Sequence, residues 1–345
     1  MTPLRLALIG CGKVTERFHV PVAVANEAVR VSALFDPETS RAEELAIGLD
    51  RPKILRTLDE VGDFADAAIV AAPHHLHADI ACDLLERGIP VLVEKPMALD
   101  TDSCDRMLAA TETGRAALAV GLVRRWYEAS RWIKASIDAG DLGAVLSVDA
   151  REGAIFGWQV VSDATFRRDK GGGVLSDIGI HVLDLLVWWL GDPEPIAYRD
   201  DAMGGVDANC EIELRFPGGA TGFVELSRTR ALRNSIVIQC ERGSLTIGAG
   251  FNPEVEVKHA DRKVVFGGHA RMTGSPASTR LETFFELQLQ DFVESIYERR
   301  LPFVDGLEGR RSIALMEACR EVRTPLELPW VWSHERHSMK GVPTT

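Results

Sequence analysis

Residues 4–15 read LRLALIGCGKVT, a short apolar run followed at once by a glycine turn, and this order of strand, turn and helix decides the fold. Gly10 permits the tight turn and Gly12 lets the backbone approach a diphosphate. The N–H groups that open the next helix then face an anion. Thr15 stands at the third position of the usual G-x-G-x-x-G spacing, where its Cβ holds the helix slightly away from the strand. Pro21 is expected to end or kink that helix early. A second strand, residues 30–35, runs into Asp36, about 20 residues past the glycines, where a carboxylate accepts from adenosine ribose hydroxyls. A 2′-phosphate there would meet like charge, so NAD is expected over NADP, with Arg41 the one neighbour that softens the preference. The alternative for Asp36 is a cap or turn residue before Pro37.

The alternation continues outward from this turn. Residues 40–48 read as a helix, 67–72 as a fully buried strand, 77–87 as a helix stopped by Gly88, 90–93 as a strand, 101–113 as a helix and 117–120 as a last strand. Strands alternating with helices imply parallel βαβ units, and so a doubly wound Rossmann domain over residues 1–122. Ligands of such sheets sit at the carboxyl ends of strands. Those ends carry Gly10-Cys11-Gly12, Asp36, Pro73-His74-His75 and Glu94-Lys95-Pro96. The last places an ammonium at the mouth of the sheet before a bond that tolerates the cis form. A solvated surface lysine is the alternative.

Residues 123–345 change texture. Residues 128–139 form an amphipathic helix ended by Gly140, and 144–151 a strand. Residues 210–216 alternate apolar and charged, a turn at 217–219 follows, and 220–227, 234–241, 244–247, 254–258 and 263–266 add short strands. Short connections make this an open, largely antiparallel sheet in an α+β domain. Phe223 and Val237 lie among polar residues on its other face, which another subunit could cover. Residues 259–278 are read as a mobile loop or lid, 279–299 and 309–322 as helices, and the tail after Trp332 as frayed.

Within this half, residues 170–184 read KGGGVLSDIGIHVLD. If helical, the run puts Asp177, His181 and Asp184 on one stripe of a helix that is apolar almost all round and therefore buried. Buried polar groups need partners, so the stripe is either a satisfied structural network or a site. A divalent metal held by the three is a further alternative, opposed by a nearby lysine.

Composition bounds the rest. The chain of 345 residues fits two domains, and a net charge of −12 without a basic run argues against a nucleic-acid surface. The apolar runs fall short of the ~20 residues that span a bilayer, and residues 1–5 pass straight into a strand pattern, so neither membrane nor leader is expected. Six scattered cysteines without a C-x-x-C pair read as reduced thiols in a cytoplasmic protein.

With these motifs in view, the chain resembles the glucose-fructose oxidoreductase and inositol dehydrogenase family, usually written Gfo/Idh/MocA. The resemblance rests on GCGKVT, on PHHLH at 73–77 where the family tends to have P-N-x-x-H, on Glu94-Lys95-Pro96, on Arg125 in GLVRRW, and on GGGVLSDIGIHVLD. It implies a dinucleotide domain, a second domain with an open sheet, and dimers or tetramers. Lys95 would be the catalytic lysine with Asp177 and His181 beside it, Glu94 would lie near the nicotinamide ribose, and Pro96 would follow a cis bond. The expected cofactor contacts are Gly10, Gly12, Lys13, Val14, Asp36, Arg41, Ala72, Pro73, His74, His77, Glu94, Lys95 and Arg125. Two departures stand out: Thr15 replaces the third glycine, and His74 the frequent asparagine.

The chemistry implied is hydride transfer between a nicotinamide and a carbon bearing a secondary hydroxyl or ketone. His181 has the native pKa to move the hydroxyl proton, Lys95 supplies positive charge to the oxygen, and Asp177 orients the pair, whereas Asp184 is assigned to structure. Arg124, Arg125, Trp126, Phe156, Trp158, Arg167, Arg168 and Asp169 are candidates for the substrate wall, since aromatics with hydrogen-bonding side chains suit a polyhydroxylated ring. A sugar, sugar acid, cyclitol or nucleotide sugar fits. Two rival readings remain: a redox-neutral epimerase or glycosidase that keeps its NAD, and a non-catalytic dinucleotide-binding module.

Overall fold

The computed structural model describes residues 2–249, 254–260, 262–269 and 281–327. The chain divides into two units. The first takes Met1–Trp126, Gln159–Asp163 and Arg280–Ile313, and the second Tyr127–Trp158, Ala164–Thr279 and Ala314–Thr345. Residues 280–313, assigned to the second domain from sequence, therefore fold with the first. Their apolar face decides this: Phe285 of the helix Leu281–Glu298 stacks on Phe18 with centroids 4.7 Å apart.

The first unit holds six parallel strands, β1 (Leu4–Ile9), β2 (Val29–Phe35), β3 (Lys53–Ile54), β4 (Ala67–Val70), β5 (Val91–Val93) and β6 (Leu118–Val120), in the order β3-β2-β1-β4-β5-β6. Every residue of β4, β5 and β6 is buried, which is why they read as unbroken apolar runs. β3 is a two-residue strand too short for any periodic signal. The order reverses between β1 and β4, and Gly10 follows β1 at that point with φ +94°. A Cβ on Gly10 would stand 2.5 Å from the Ala71 carbonyl oxygen, so only glycine lets the two strand ends meet.

The segment after the glycine turn differs from expectation. It opens as a π-helical turn, Thr15–His19, and continues as the α-helix Val20–Ala25, with Pro21 in the first α turn rather than ending the helix. Pro21 sits directly after the π-helical turn, whose wider spacing accommodates the missing N–H, so the proline perturbs the helix without ending it there.

The second unit is built on nine strands: β7 (Val145–Gly153), β8 (Glu194–Asp200), β9 (Asn209–Arg215), β10 (Thr221–Ser227), β11 (Ser235–Cys240), β12 (Gly243–Gly248), β13 (Glu254–His259), β14 (Arg262–His269) and β15 (Arg323–Pro325). Their order is β14-β13-β12-β11-β7-β10-β9-β8-β15. All pairs are antiparallel except β7 with β10 and β8 with β15. The stretch read as a lid is in part strand β14, and its residues 270–278 lie outside the described residues, as does the tail after Trp332.

The glycine-rich motif becomes a π-helical turn, Leu175–Gly179, running into the α-helix Ile180–Leu190. Asp207 starts it, accepting from the Leu175 N–H at 2.7 Å. Gly179 lets it lie close on β10, since a Cβ there would come within 2.7 Å of Leu226 Cδ1. At its far end Trp189 Nε1 donates to the Ser130 carbonyl at 3.0 Å. The helical run Arg168–Leu190 is long and apolar enough to cross a membrane, contrary to the sequence reading, yet 72% of its most apolar window is buried within the protein, as in a core helix.

Candidate functional site

In the first unit the expected ligand-facing residues gather at the carboxyl ends of the parallel strands. Thr15 is buried and its Oγ1 donates to the Gly10 carbonyl at 2.6 Å. The hydroxyl therefore closes the turn that a third glycine would only have left open. Lys13 pairs with Glu16 at 2.6 Å on the surface, and Val14 opens the π-helical turn. Asp36 is 8% exposed; its Oδ2 accepts from the Cys11 N–H and its Oδ1 from the Glu38 N–H, both at 2.9 Å. The turn role of Asp36 is the one the contacts display: it braces two turns, and a carboxylate with about four acceptor positions has capacity left for further donors. Arg41 Nη1 lies 3.6 Å from Asp36, and Arg41 Nη2 donates to the Val161 carbonyl at 3.0 Å. Burial first, then the Asp36 charge, pushes the Cys11 thiol up to about 12, with Arg41 opposing. Cys11 is a neutral packing group.

Glu94 and Lys95 follow β5, with a cis bond between Lys95 and Pro96 as the resemblance implies. Lys95 is half-buried. Glu94 Oε1 accepts from His19 Nε2 at 2.9 Å, and its Oε2 from the Lys95 N–H at 3.1 Å. An ionised carboxylate only accepts, so His19 carries a proton on Nε2. Burial lifts the Glu94 carboxyl, but the His19 hydrogen bond, the His19 and Lys95 charges and the Lys95 N–H outweigh it and leave the carboxyl below its ordinary range. Gly121 completes the seat, since a Cβ there would stand 3.1 Å from Glu94 Cα.

Several of the expected contact residues are buried on protein partners. His77 is fully buried, with Nδ1 and Nε2 each 2.8 Å from a carbonyl, those of Pro96 and Ala72. Burial lowers its pKa against the pull of both carbonyls. It ties the loop after β5 to the end of β4. Ala72, Pro73 and His74 stand half-buried beside it. Arg125, expected at the cofactor, is 1% exposed and pairs with Glu308 at 2.5 Å. Arg124 and Trp126, expected on the substrate wall, are buried too, and the Trp126 ring meets Phe303 edge-on at 5.0 Å. The Arg125 guanidinium and the Trp126 indole take their partners, Glu308 and Phe303, from more than 170 positions away.

In the second unit Asp177 forms an ion pair with Arg228, whose guanidinium carbon stands 4.9 Å over the Phe156 ring. Phe156 in turn meets Phe166 edge-on at 5.5 Å. His181 is half-buried one turn on, and Asp184 is buried. Arg167 pairs with Asp169 at the surface, Arg168 is exposed, and Trp158 is 38% exposed. The sequence reading missed His19, Arg228 and Val161. Only His19 carried a signal, as an imidazole leading into the apolar run VPVAVA; the others lie in loops without periodicity.

These residues fit a dinucleotide. The glycine turn, the backbone-braced carboxylate after β2 and the locked glutamate after β5 all stand at the end of one parallel sheet where the strand order reverses. A family model described as "Oxidoreductase family, NAD-binding Rossmann fold" matches residues 4–122, and one described as "GFO/IDH/MocA C-terminal domain" matches residues 130–246. The rhizopine catabolism protein MocA of Rhizobium meliloti is 28% identical over 237 residues, 66% of this chain and 72% of its own. The UDP-N-acetylglucosamine 3-dehydrogenase of Acidithiobacillus ferrooxidans is 25% identical over 333 residues, 95% of this chain and 98% of its own. The solved structure of KijD10, a 3-ketoreductase from Actinomadura kijaniata in complex with NADP and TDP-benzene, superposes with a TM-score of 0.82 at 22% identity, covering 95% of this chain and 100% of that one. That last likeness is one of fold. Both domains being matched in order, the chain belongs to the Gfo/Idh/MocA family of oxidoreductases.

Proposed function

We propose that the protein transfers a hydride between a nicotinamide and a secondary alcohol or ketone carbon of a small polyhydroxylated substrate, a sugar, sugar acid, cyclitol or nucleotide sugar. Family membership supports the coarser reading, an NAD(P)-dependent oxidoreductase among sugar and nucleotide-sugar enzymes. The bound dinucleotide supplies the hydride donor or acceptor; the chain's own residues do the rest. Asp36 accepts from the adenosine ribose, which favours NAD over NADP. Glu94, held on both oxygens, fixes the loop that presents Lys95. The Lys95 ammonium holds negative charge on the substrate oxygen, and His181 takes the hydroxyl proton in oxidation or returns it in reduction. Asp177 orients the imidazole and the substrate hydroxyls. Buried free cysteines support a reducing, cytoplasmic setting.

The observation that carries the reading is the placement of Lys95 at the carboxyl end of β5, on a loop pinned by Glu94, in the same sheet end as Gly12 and Asp36. The test is a panel of sugars, sugar acids and cyclitols, assayed at the reduced nicotinamide band with NAD and NADP in parallel. Turnover is expected, with the lower KM for NAD. Lys95→Met should lower kcat by about a thousandfold while NADH binding stays within about threefold. A Lys95→Met enzyme as fast as the parent would remove Lys95 from the chemistry.

A further inference from the structure

We propose that Gln159–Asp163 is a retention strap for the dinucleotide, closed over the glycine turn by Val161. The inference rests on the dinucleotide reading of the first unit and adds a cofactor contact that the Rossmann motif itself does not contain.

Three observations converge on it. The chain on either side, Trp158 and Ala164, belongs to the second unit, but these five residues pack with the first. The Val161 carbonyl accepts from Arg41 Nη2 at 3.0 Å, and the other terminal nitrogen of that guanidinium lies 3.6 Å from the Asp36 carboxylate. The strap is thereby fastened at the ribose corner. The Val161 side chain reaches the diphosphate corner, with Cγ2 3.6 Å from the point a Cβ on Gly12 would occupy. Gly12 is the residue whose missing side chain leaves room for the diphosphate, so Val161 stands over the face where that group lies.

The chemistry suits a cover that opens. Val160 and Val161 are 38% and 41% exposed, apolar surface that a nucleotide beneath them would help bury. Val161 itself is held through its carbonyl by a partly exposed arginine, a kind of contact that contributes little net stability and can break on each binding cycle. Entry then requires the strap to lift. Departure requires it to lift against the added contact with the cofactor, so the step it controls most strongly is release.

The test is the dissociation rate of NADH from the full-length protein, followed by stopped-flow fluorescence as excess NAD displaces it. Val161→Gly should release NADH about tenfold faster than the parent, and Val161→Ile should stay within about twofold. Equal thermal melting of the cofactor-free proteins shows that the fold is intact. A Val161→Gly rate within twofold of the parent overturns the strap, and a slower rate overturns it as well, by making the segment a competitor for the site. A parent protein that retains neither NADH nor NADPH defeats the dinucleotide reading itself, a result separable from the other two because no rate is then measured.

Discussion

Replacing His19 by leucine tests how the loop bearing Lys95 is held. His19 is 1% exposed, and the Glu94 side chain it meets is 11% exposed, so water cannot take over the lost donor. A hydrogen bond to a charged group contributes about 1.5–3 kcal/mol. The Lys95 N–H stays on the other oxygen, so the loss should fall near the middle, about 2 kcal/mol at pH 7. For a body of this size that lowers the melting temperature by roughly 4–8 °C. The amide oxygen of a glutamine still accepts from His19 but carries no charge, so in a Glu94→Gln background the same substitution should cost only about 1 kcal/mol. His19→Gln, which restores an N–H at similar reach, should recover most of the loss. The pH dependence has a fixed sign. Glu94 is depressed in the folded state, so its contribution is complete above the unfolded value of about 4.3 and is lost as pH falls through the lower folded value. The advantage of the parent over Glu94→Gln should therefore shrink below about pH 4. Differential scanning calorimetry of the parent, the three single variants and the double variant decides the matter. Additive losses in the double variant would refute the reasoning, because His19 and Glu94 would then act through other neighbours.

Other consequences follow from the buried charges and thiols. Glu308→Gln leaves the Arg125 guanidinium buried without its carboxylate and should cost about 3–5 kcal/mol, whereas Arg125→Met should cost less because Glu308 is 30% exposed and keeps Arg311 at 3.2 Å. Urea titrations that rank the two variants in the opposite order would contradict that account. Cys11, with its thiol pushed up to about 12, should react with iodoacetamide at pH 8 about a thousandfold more slowly than a free cysteine; peptide mass spectrometry after a timed pulse measures this. Labelling within tenfold of the free thiol would show the site to be open.

The two halves of the candidate site were legible to different degrees. GCG after a strand and Asp36 after the next are local signals, because turn, strand and helix start are set by neighbouring residues, and their structural positions match the reading. Thr15 was read as a flaw in the motif. The structure shows why it is tolerated, since its hydroxyl bonds the carbonyl of the turn it joins. His77 and Arg125 were recognisable as motif residues, but their direction was not. One is turned between two backbone carbonyls and the other toward Glu308, 183 positions on.

The sequence by itself determined the parallel βαβ alternation of the first sheet, the alternating strands of the second and the places where ligand-bearing loops leave the strands, because hydrophobic period and turn chemistry act over a few residues. Only tertiary structure decided that residues 280–313 fold with the first unit, that His19 holds Glu94 across 75 positions, that Arg228 meets Asp177, and that Val161 lies over Gly12. The physical reason is that a buried polar group takes its partner from whichever segment packing brings within about 3 Å, and separation along the chain leaves no periodic trace of that choice.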